Sequence, residues 1–269
     1  MQSANFERIH ADIVYRMKQA PVVSMGSWQS TTKNPYALEM RELLHEHFEY
    51  LLPRTLEELD LAVKPFQPWA DKHFEHERVS GCPINPGTTY KEWRYPASAA
   101  EHTDFQFSHS YAERYWPQFA GKTPGGELDY PKLVKENARP HFGIRHSYGD
   151  LAGVVRLLAQ DHTTRQAYLP IFYPEDITAA LKKERIPCTL GYHFICRNGG
   201  LDIVYPMRSC DLVRHFRDDV YLTARLVLWV LDRLREQSPN KGWDAVRPGK
   251  LVMNITSLHC FATDNLENL

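Results

Sequence analysis

"CTLGYHFICRNGGLDIVYPMRS" occupies residues 188–209, and its reading decides the fold. The tetrapeptide RNGG (197–200) is a strong hairpin signal, because Asn and Gly tolerate the backbone conformations that a tight turn between strands requires. It predicts a strand over CTLGYHFIC and a return strand over LDIVYPMRS. Upstream, RQAYLPIFY (165–173) reads as a further strand run. Downstream, DDVYLTARLVLWVLDRLRE (218–236) is the strongest helix signal in the chain, with Val220, Ala224, Val227, Leu231 and Leu234 on one stripe. GKLVMNITSLHCF (249–261) is a final strand candidate. YGDLAGVVRLLAQD (148–161) predicts a helix with Asp150 as its N-cap. NPYALEMRELLHEHFEYLL (34–52) also reads as helical, from Leu38, Met40, Leu44, Phe48 and Leu51. Between residues 64 and 125, Pro65, Pro68, Pro83, Pro86 and Pro96 predict a loop-rich segment. Helices mixed with hairpin-connected strands imply an α+β domain with a mixed sheet.

The chain has 269 residues with 43% hydrophobic content, enough for a sizeable core, and no repeat or Gly/Ser tract marks a linker. One domain over 1–269 is expected. A net charge of −1 argues against a non-specific nucleic-acid binder. No stretch approaches a membrane span, and the first residues carry charges where a signal peptide needs an apolar run. The five cysteines are odd in number and lack CxxC spacing, which disfavours a disulfide framework or a zinc knuckle. The expectation is a reduced, soluble protein of the cytoplasm, a host's cytoplasm if the chain is viral.

The candidate chemistry is unremarkable residue by residue. Cys188 enters a strand after the charged run KKERI, and a packed hydrophobe is the commoner fate of such a cysteine. A thiolate there is a nucleophile if nearby cations favour it. Arg208 and Ser209 end the return strand; an arginine with a hydroxyl suits an anion, yet a surface ion pair explains them as well. Asp218 and Asp219 open the long helix, where capping and dipole complementation are the default. Glu46 is by default an exposed carboxylate, and His259 a satisfied core histidine. His73 and His76 in HFEHE have no third ligand nearby, so no metal site is expected. No GxGxxG, P-loop or GxSxG is present.

In order, however, these segments resemble the thymidylate synthase family over roughly Thr163 to Phe261. IPCTLGYHF (186–194) is similar to the family's Pro-Cys nucleophile strand, and MRSCD (207–211) to its Arg-Ser-x-Asp segment. TTRQAYLPIF (163–172) is similar to the stretch whose arginine reaches the phosphate across a dimer, with Gln166 where a second arginine is usual. SLH (257–259) completes the order, and LLHEHFEYL is a weaker echo. Thr189, Met207 and FRDD (216–219) resemble the phage deoxycytidylate hydroxymethylases rather than the uracil-using members.

The resemblance implies a thymidylate synthase-like mixed sheet in a homodimer packed sheet to sheet, with shared active sites. It implies a pyrimidine nucleotide 5-hydroxymethyltransferase acting on dCMP or CMP, with 5,10-methylenetetrahydrofolate as the folate partner. Cys188 is then the nucleophile toward C6, and Arg165 and Arg208 help keep it ionised. Arg165, Arg208 and Ser209 bind the phosphate, Asp211 and Trp69 meet the folate, and His259 contacts the sugar. Asp219 takes the place of a base-reading asparagine. Glu46 corresponds to a glutamate that organises water and protons, and Tyr111 in SHSYAERYW to a proton-relay tyrosine. Cytosine offers an amine at C4, and a second donor at N3 once that nitrogen is protonated, so an acceptor-only carboxylate suits it. Phe261 replaces a sugar-contacting tyrosine, which leaves ribose and deoxyribose both open. No closing C-terminal segment is expected after Phe261, and a hydroxymethylase requires one water to enter. The alternatives are a cytidylate C5-methyltransferase using hydride from folate, a dUMP hydroxymethylase, and a degenerate nucleotide-binding relative without activity.

Overall fold

Asn198 and Gly199 both adopt positive φ, 51° and 73°, and turn the chain between two antiparallel strands. Strand β4 (Gly191–Arg197) and strand β5 (Gly200–Met207) are thereby placed in register, with His193 opposite Val204 and Arg197 opposite Gly200. The hairpin is as the local sequence predicts. The computed structural model describes residues 5–24, 39–95, 107, 109–120, 147–182, 184–267 and 269.

The hairpin belongs to a seven-stranded mixed sheet, order β1-β2-β7-β5-β4-β3, with β6 alongside β7. The remaining strands are β1 (Val22–Ser24), β2 (Glu39–Leu51), β3 (Tyr168–Pro170), β6 (Cys210–Asp211) and β7 (Arg247–Phe261). Neighbours run antiparallel except for β7, which is parallel to β5 and to β6. This is the α+β architecture with a mixed sheet that the pattern implies.

One expectation fails. Residues 39–51 form strand β2 and not a helix, and it pairs antiparallel with β7 from Met40↔Phe261 to Leu51↔Lys250. Met40, Leu44 and Phe48 are four apart, a spacing close to one helical turn but also a multiple of the strand period of two. Local periodicity cannot separate the two; the long ladder with β7 does. Leu38 and the earlier part of that segment lie outside the described residues.

The described helices are α1 (Phe6–Gln19), α2 (Leu56–Val63), α3 (Trp69–His73), α4 (Tyr111–Tyr115), α5 (Leu151–Gln160), α6 (Pro174–Leu181) and α7 (Phe216–Gln237). Asp150 caps α5 by accepting from the Gly153 amide at 2.7 Å. The 22-residue α7 lies across β5 and β7. Val220, Ala224, Val227, Leu231 and Leu234 are all buried, against Ile203 and Tyr205 of β5 and Met253 and Ile255 of β7 in the same core. The other sheet face is only half covered: Ile195, Val204, Pro206, Val252 and Asn254 are all partly exposed. Leu231→Ala is expected to cost about 2–5 kcal/mol, through lost transfer energy plus a residual cavity. A lower urea midpoint with an unchanged slope is the readout; a loss below about 1 kcal/mol would remove this stripe from the core.

The proline-rich stretch from 64 onward is built from short pieces: α3, a π-helical turn (Phe74–Arg78) and a 3₁₀ turn (Thr88–Glu92). Among the described residues no helix is long and apolar enough to cross a membrane.

Candidate active site

Because the hairpin folds 188 back onto 208, Cys188 meets the end of β5. The Arg208 amide donates to the Cys188 carbonyl at 2.9 Å, and Thr189 bridges to Met207. The Ser209 hydroxyl donates to Cys188 Sγ at 3.4 Å, and Arg208 Nη2 points at the same sulfur from 3.8 Å. Arg208 also donates from Nε to the Pro187 carbonyl (2.9 Å), from Nη2 to the Ile186 carbonyl (3.0 Å) and from Nη1 to Ser209 (3.2 Å). Most of its donors are thus committed to the loop that carries the nucleophile candidate.

All five cysteines are free, and Cys188 alone is partly exposed. Burial pushes the thiols of Cys82 and Cys196 up, that of Cys210 well up, and that of Cys260 to about 11. Cys188 opens onto a cavity of about 250 Å³. Its lining includes Arg185, Ile186, Cys188 and Ser209, together with Arg78, Tyr111, Asp218 and Asp219 and the aromatic rings of Trp69, Tyr90 and Trp93.

Asp219 is buried in the first turn of α7, with Oδ2 facing the Cys210 thiol at 3.6 Å. Burial is the main reason its carboxyl is pushed up to about 7; Arg78 opposes that shift, and neighbouring Asp218 adds to it. Asp218 accepts instead from the Phe66 amide (2.8 Å) through Oδ1, and its carboxyl is also raised by burial. Its Oδ2 has no hydrogen-bond partner among the described residues. Asp218 therefore ties α7 to the 64–68 loop and does not cap its own helix through Oδ1.

Tyr111 projects into the cavity from the start of α4, with its hydroxyl 2.8 Å from Thr189 Oγ1. Burial first, then the Asp219 charge, raises its phenol. Arg78 lies over its ring at 4.3 Å. Arg78 Nε donates to His73 Nε2 at 3.0 Å, which leaves Nδ1 of that ring as the protonated nitrogen toward Glu77 Oε2 at 2.7 Å. Glu77 also accepts from the Thr89 amide at 2.8 Å. Trp69 stacks on His73 with ring centroids 4.8 Å apart and donates to the Thr89 carbonyl. This Glu77–His73–Arg78 chain was not legible in the sequence. Its histidine is engaged by these partners, and among the described residues no group of three or more His, Cys, Asp or Glu is placed to hold a metal ion.

Compared with protein-family models and with curated proteins, the chain matches none.

Asp211 lines the cavity, but its carboxylate also orders the turn into α7. Oδ1 accepts from the Val213 and Arg214 amides (3.0 and 2.9 Å), and Oδ2 from Arg214 Nη1 (3.2 Å). His215 stacks on Trp93 at 4.9 Å, and burial lowers it to about 4; burial likewise lowers His109 to about 3. Both are neutral near pH 7, so the positive charge in the cavity wall comes from Arg78 and Arg185.

Four expected site residues are not in that wall. Glu46 sits on β2, where Arg16 holds it through paired bonds of 2.7 and 2.6 Å, and the structure does not bring it to the cavity. The strand register, in place of the expected helix, aims it at α1. His259 lies on β7 opposite Asp211, and its carbonyl accepts from the Leu212 amide. Arg165 is exposed before β3, its carbonyl bonded by His193 Nε2 at 3.0 Å. Arg208 stands behind Cys188 and not in the wall.

Proposed function

We propose that this protein is a pyrimidine nucleotide 5-hydroxymethyltransferase of the thymidylate synthase type, acting on dCMP or CMP. The observation that carries the reading is the convergence of Cys188, Asp219 and Tyr111 on one cavity, with two donors aimed at the Cys188 sulfur. These residues come from distant parts of the chain. A packed cysteine or a surface cap would not need them to share a space.

In this reading the Cys188 sulfur adds to C6 of the pyrimidine, which makes C5 nucleophilic. Asp219 faces the C4 amine and N3. Addition at C6 makes N3 more basic, and a carboxyl titrating near neutrality can hold the proton that N3 takes up. The carboxylate then meets two donors. Tyr111 lies where a hydroxyl can contact the ring or a water beside it. Ser209 and Arg185, which line the cavity with Cys188, suit the phosphate. The rings of Trp69, Tyr90 and Trp93 in the lining suit a pterin ring, and Asp211 offers an acceptor. Methylenetetrahydrofolate, when bound, would supply the one-carbon unit and leave as tetrahydrofolate; the C5 proton is lost to solvent, water supplies the new hydroxyl, and the C6–S bond to Cys188 then breaks to free the product.

The half-covered sheet face with Ile195, Val204 and Val252 suits a second copy of the chain. In such a homodimer the exposed Arg165, outside its own cavity, belongs to the neighbouring phosphate site. Incubation with dCMP, CMP or dUMP plus methylenetetrahydrofolate, with products weighed by mass spectrometry, tests the reading. A 5-hydroxymethyl cytidylate is expected. A 5-methyl product would replace water addition with hydride transfer, and no product from any nucleotide would overturn the enzyme reading.

A further inference from the structure

Three hydroxyls lead from the cavity into the core. Tyr111 Oη is 2.8 Å from Thr189 Oγ1, and Thr189 Oγ1 is 2.9 Å from Tyr205 Oη. Thr189 and Tyr205 are fully buried, whereas Tyr111 is a wall residue. Either direction of donation along the row is geometrically possible, but hydrogen-bond satisfaction separates them. If Tyr111 donates inward, Thr189 must donate to Tyr205, and the Tyr205 O–H then points into the core. Among the described residues Tyr205 has no hydrogen-bond partner other than Thr189. A buried donor without an acceptor is the costly outcome. If Tyr205 donates to Thr189 and Thr189 donates to Tyr111, every inner proton is used. The free O–H is then on Tyr111, where the cavity can receive it.

We propose that Thr189 and Tyr205 are positioning residues that polarise this row and fix the Tyr111 hydroxyl as a hydrogen-bond donor to the cavity ligand. The role deepens, and rests on, the reading of the cavity as a pyrimidine nucleotide site. Thr189 follows Cys188 directly in the chain. One backbone segment therefore carries both the sulfur and the anchor of the donor, and the two move together. The Arg78 guanidinium over the phenol ring holds Tyr111 from its other side. The class of acceptor is an electron-rich atom near the C5–C6 bond, or the water that reaches it. Tyr111 is the group that touches the ligand; Thr189 and Tyr205 act through it.

The test is a mutant cycle on turnover together with a measurement that needs no turnover. Thr189→Val and Tyr205→Phe are each expected to lower kcat roughly tenfold with KM nearly unchanged, and Thr189→Ser to restore most of the rate. In a Tyr111→Phe background neither should have a further effect, because the row has lost its end. Equal losses with and without the Tyr111 hydroxyl, or a change in KM alone, would overturn the proposal. Neutron diffraction of the perdeuterated protein reads the polarity directly. The Thr189 deuteron is expected on the line to Tyr111, and one on the line to Tyr205 would overturn it. If the polarity stands while no pyrimidine nucleotide is converted, the nucleotide reading alone has failed.

Discussion

Cys188→Ala is expected to reduce turnover by at least about 10³-fold while nucleotide affinity changes by no more than about threefold. The asymmetry follows from the geometry. The sulfur is the group that forms the covalent bond, whereas the groups suited to hold phosphate and base are other side chains lining the cavity. Ser209 and Arg208 each lose one contact to the sulfur in this variant, but Arg208 keeps its bonds to the Ile186 and Pro187 carbonyls, so the loop should stay in place. A cytidylate carrying fluorine at C5, with folate present, should trap a covalent adduct, since C5 then has no proton to lose. Peptide mapping should find it on Cys188. Iodoacetamide should also alkylate Cys188 first, because the other four thiols are buried. An adduct on Cys196, Cys210 or Cys260 would remove Cys188 from the chemistry.

The fold was legible where local chemistry determines it. Asn198-Gly199 can only turn, and the stripe from Val220 to Leu234 has a period that no strand shares. Strand β2 was misread because a spacing of four satisfies both periods, and its partner is distant in sequence. On β2, Glu46 meets Arg16 of α1, a contact that the strand register sets and a helical reading could not show.

The same division runs through the cavity. Cys188 and Ser209 are close because one hairpin sets their register, so the pairing could be read from residues near the turn. His73 ends α3, and Glu77 and Arg78 sit in the π-helical turn that follows it, inside a proline-broken stretch where no period survives to show which side chains share a face. Their presence was visible, and their convergence was not. Arg208 illustrates a subtler limit. Its place beside Ser209 suits an anion, but the backbone carbonyls that take up its donors become evident only when residues 186 and 187 are set against it.

Asp219→Asn is expected to shift relative kcat/KM from cytidylate toward uridylate by at least tenfold, about 1.4 kcal/mol of differential transition-state binding. An amide has no proton to give to N3, so activation of cytosine suffers. It does offer an N–H to uracil O4, where a carboxylate sets acceptor against acceptor. Stability supplies an independent reading of the same residue. The folded carboxyl titrates at about 7 against an ordinary 3.8. A raised carboxyl means that the folded state holds the proton more tightly than the unfolded chain does. Its penalty is absent below the ordinary value, grows as pH rises toward about 7, and is constant above that. Removing the titration in Asp219→Asn should therefore flatten the fall in stability over that window, as followed by urea unfolding. Asp218→Asn separates register from chemistry. Adjacent residues on a helix point about 100° apart, and Asp218 Oδ1 already accepts from the Phe66 amide. An amide oxygen can keep that bond, so base preference should not move. If Asp218→Asn switches the base and Asp219→Asn does not, Oδ2 of Asp218, which makes no hydrogen bond among the described residues and lies 4.0 Å from Arg94 Nη2, is the base reader instead. If neither does, and the wild type already prefers uridylate, the cytosine assignment fails while the Cys188 chemistry stands.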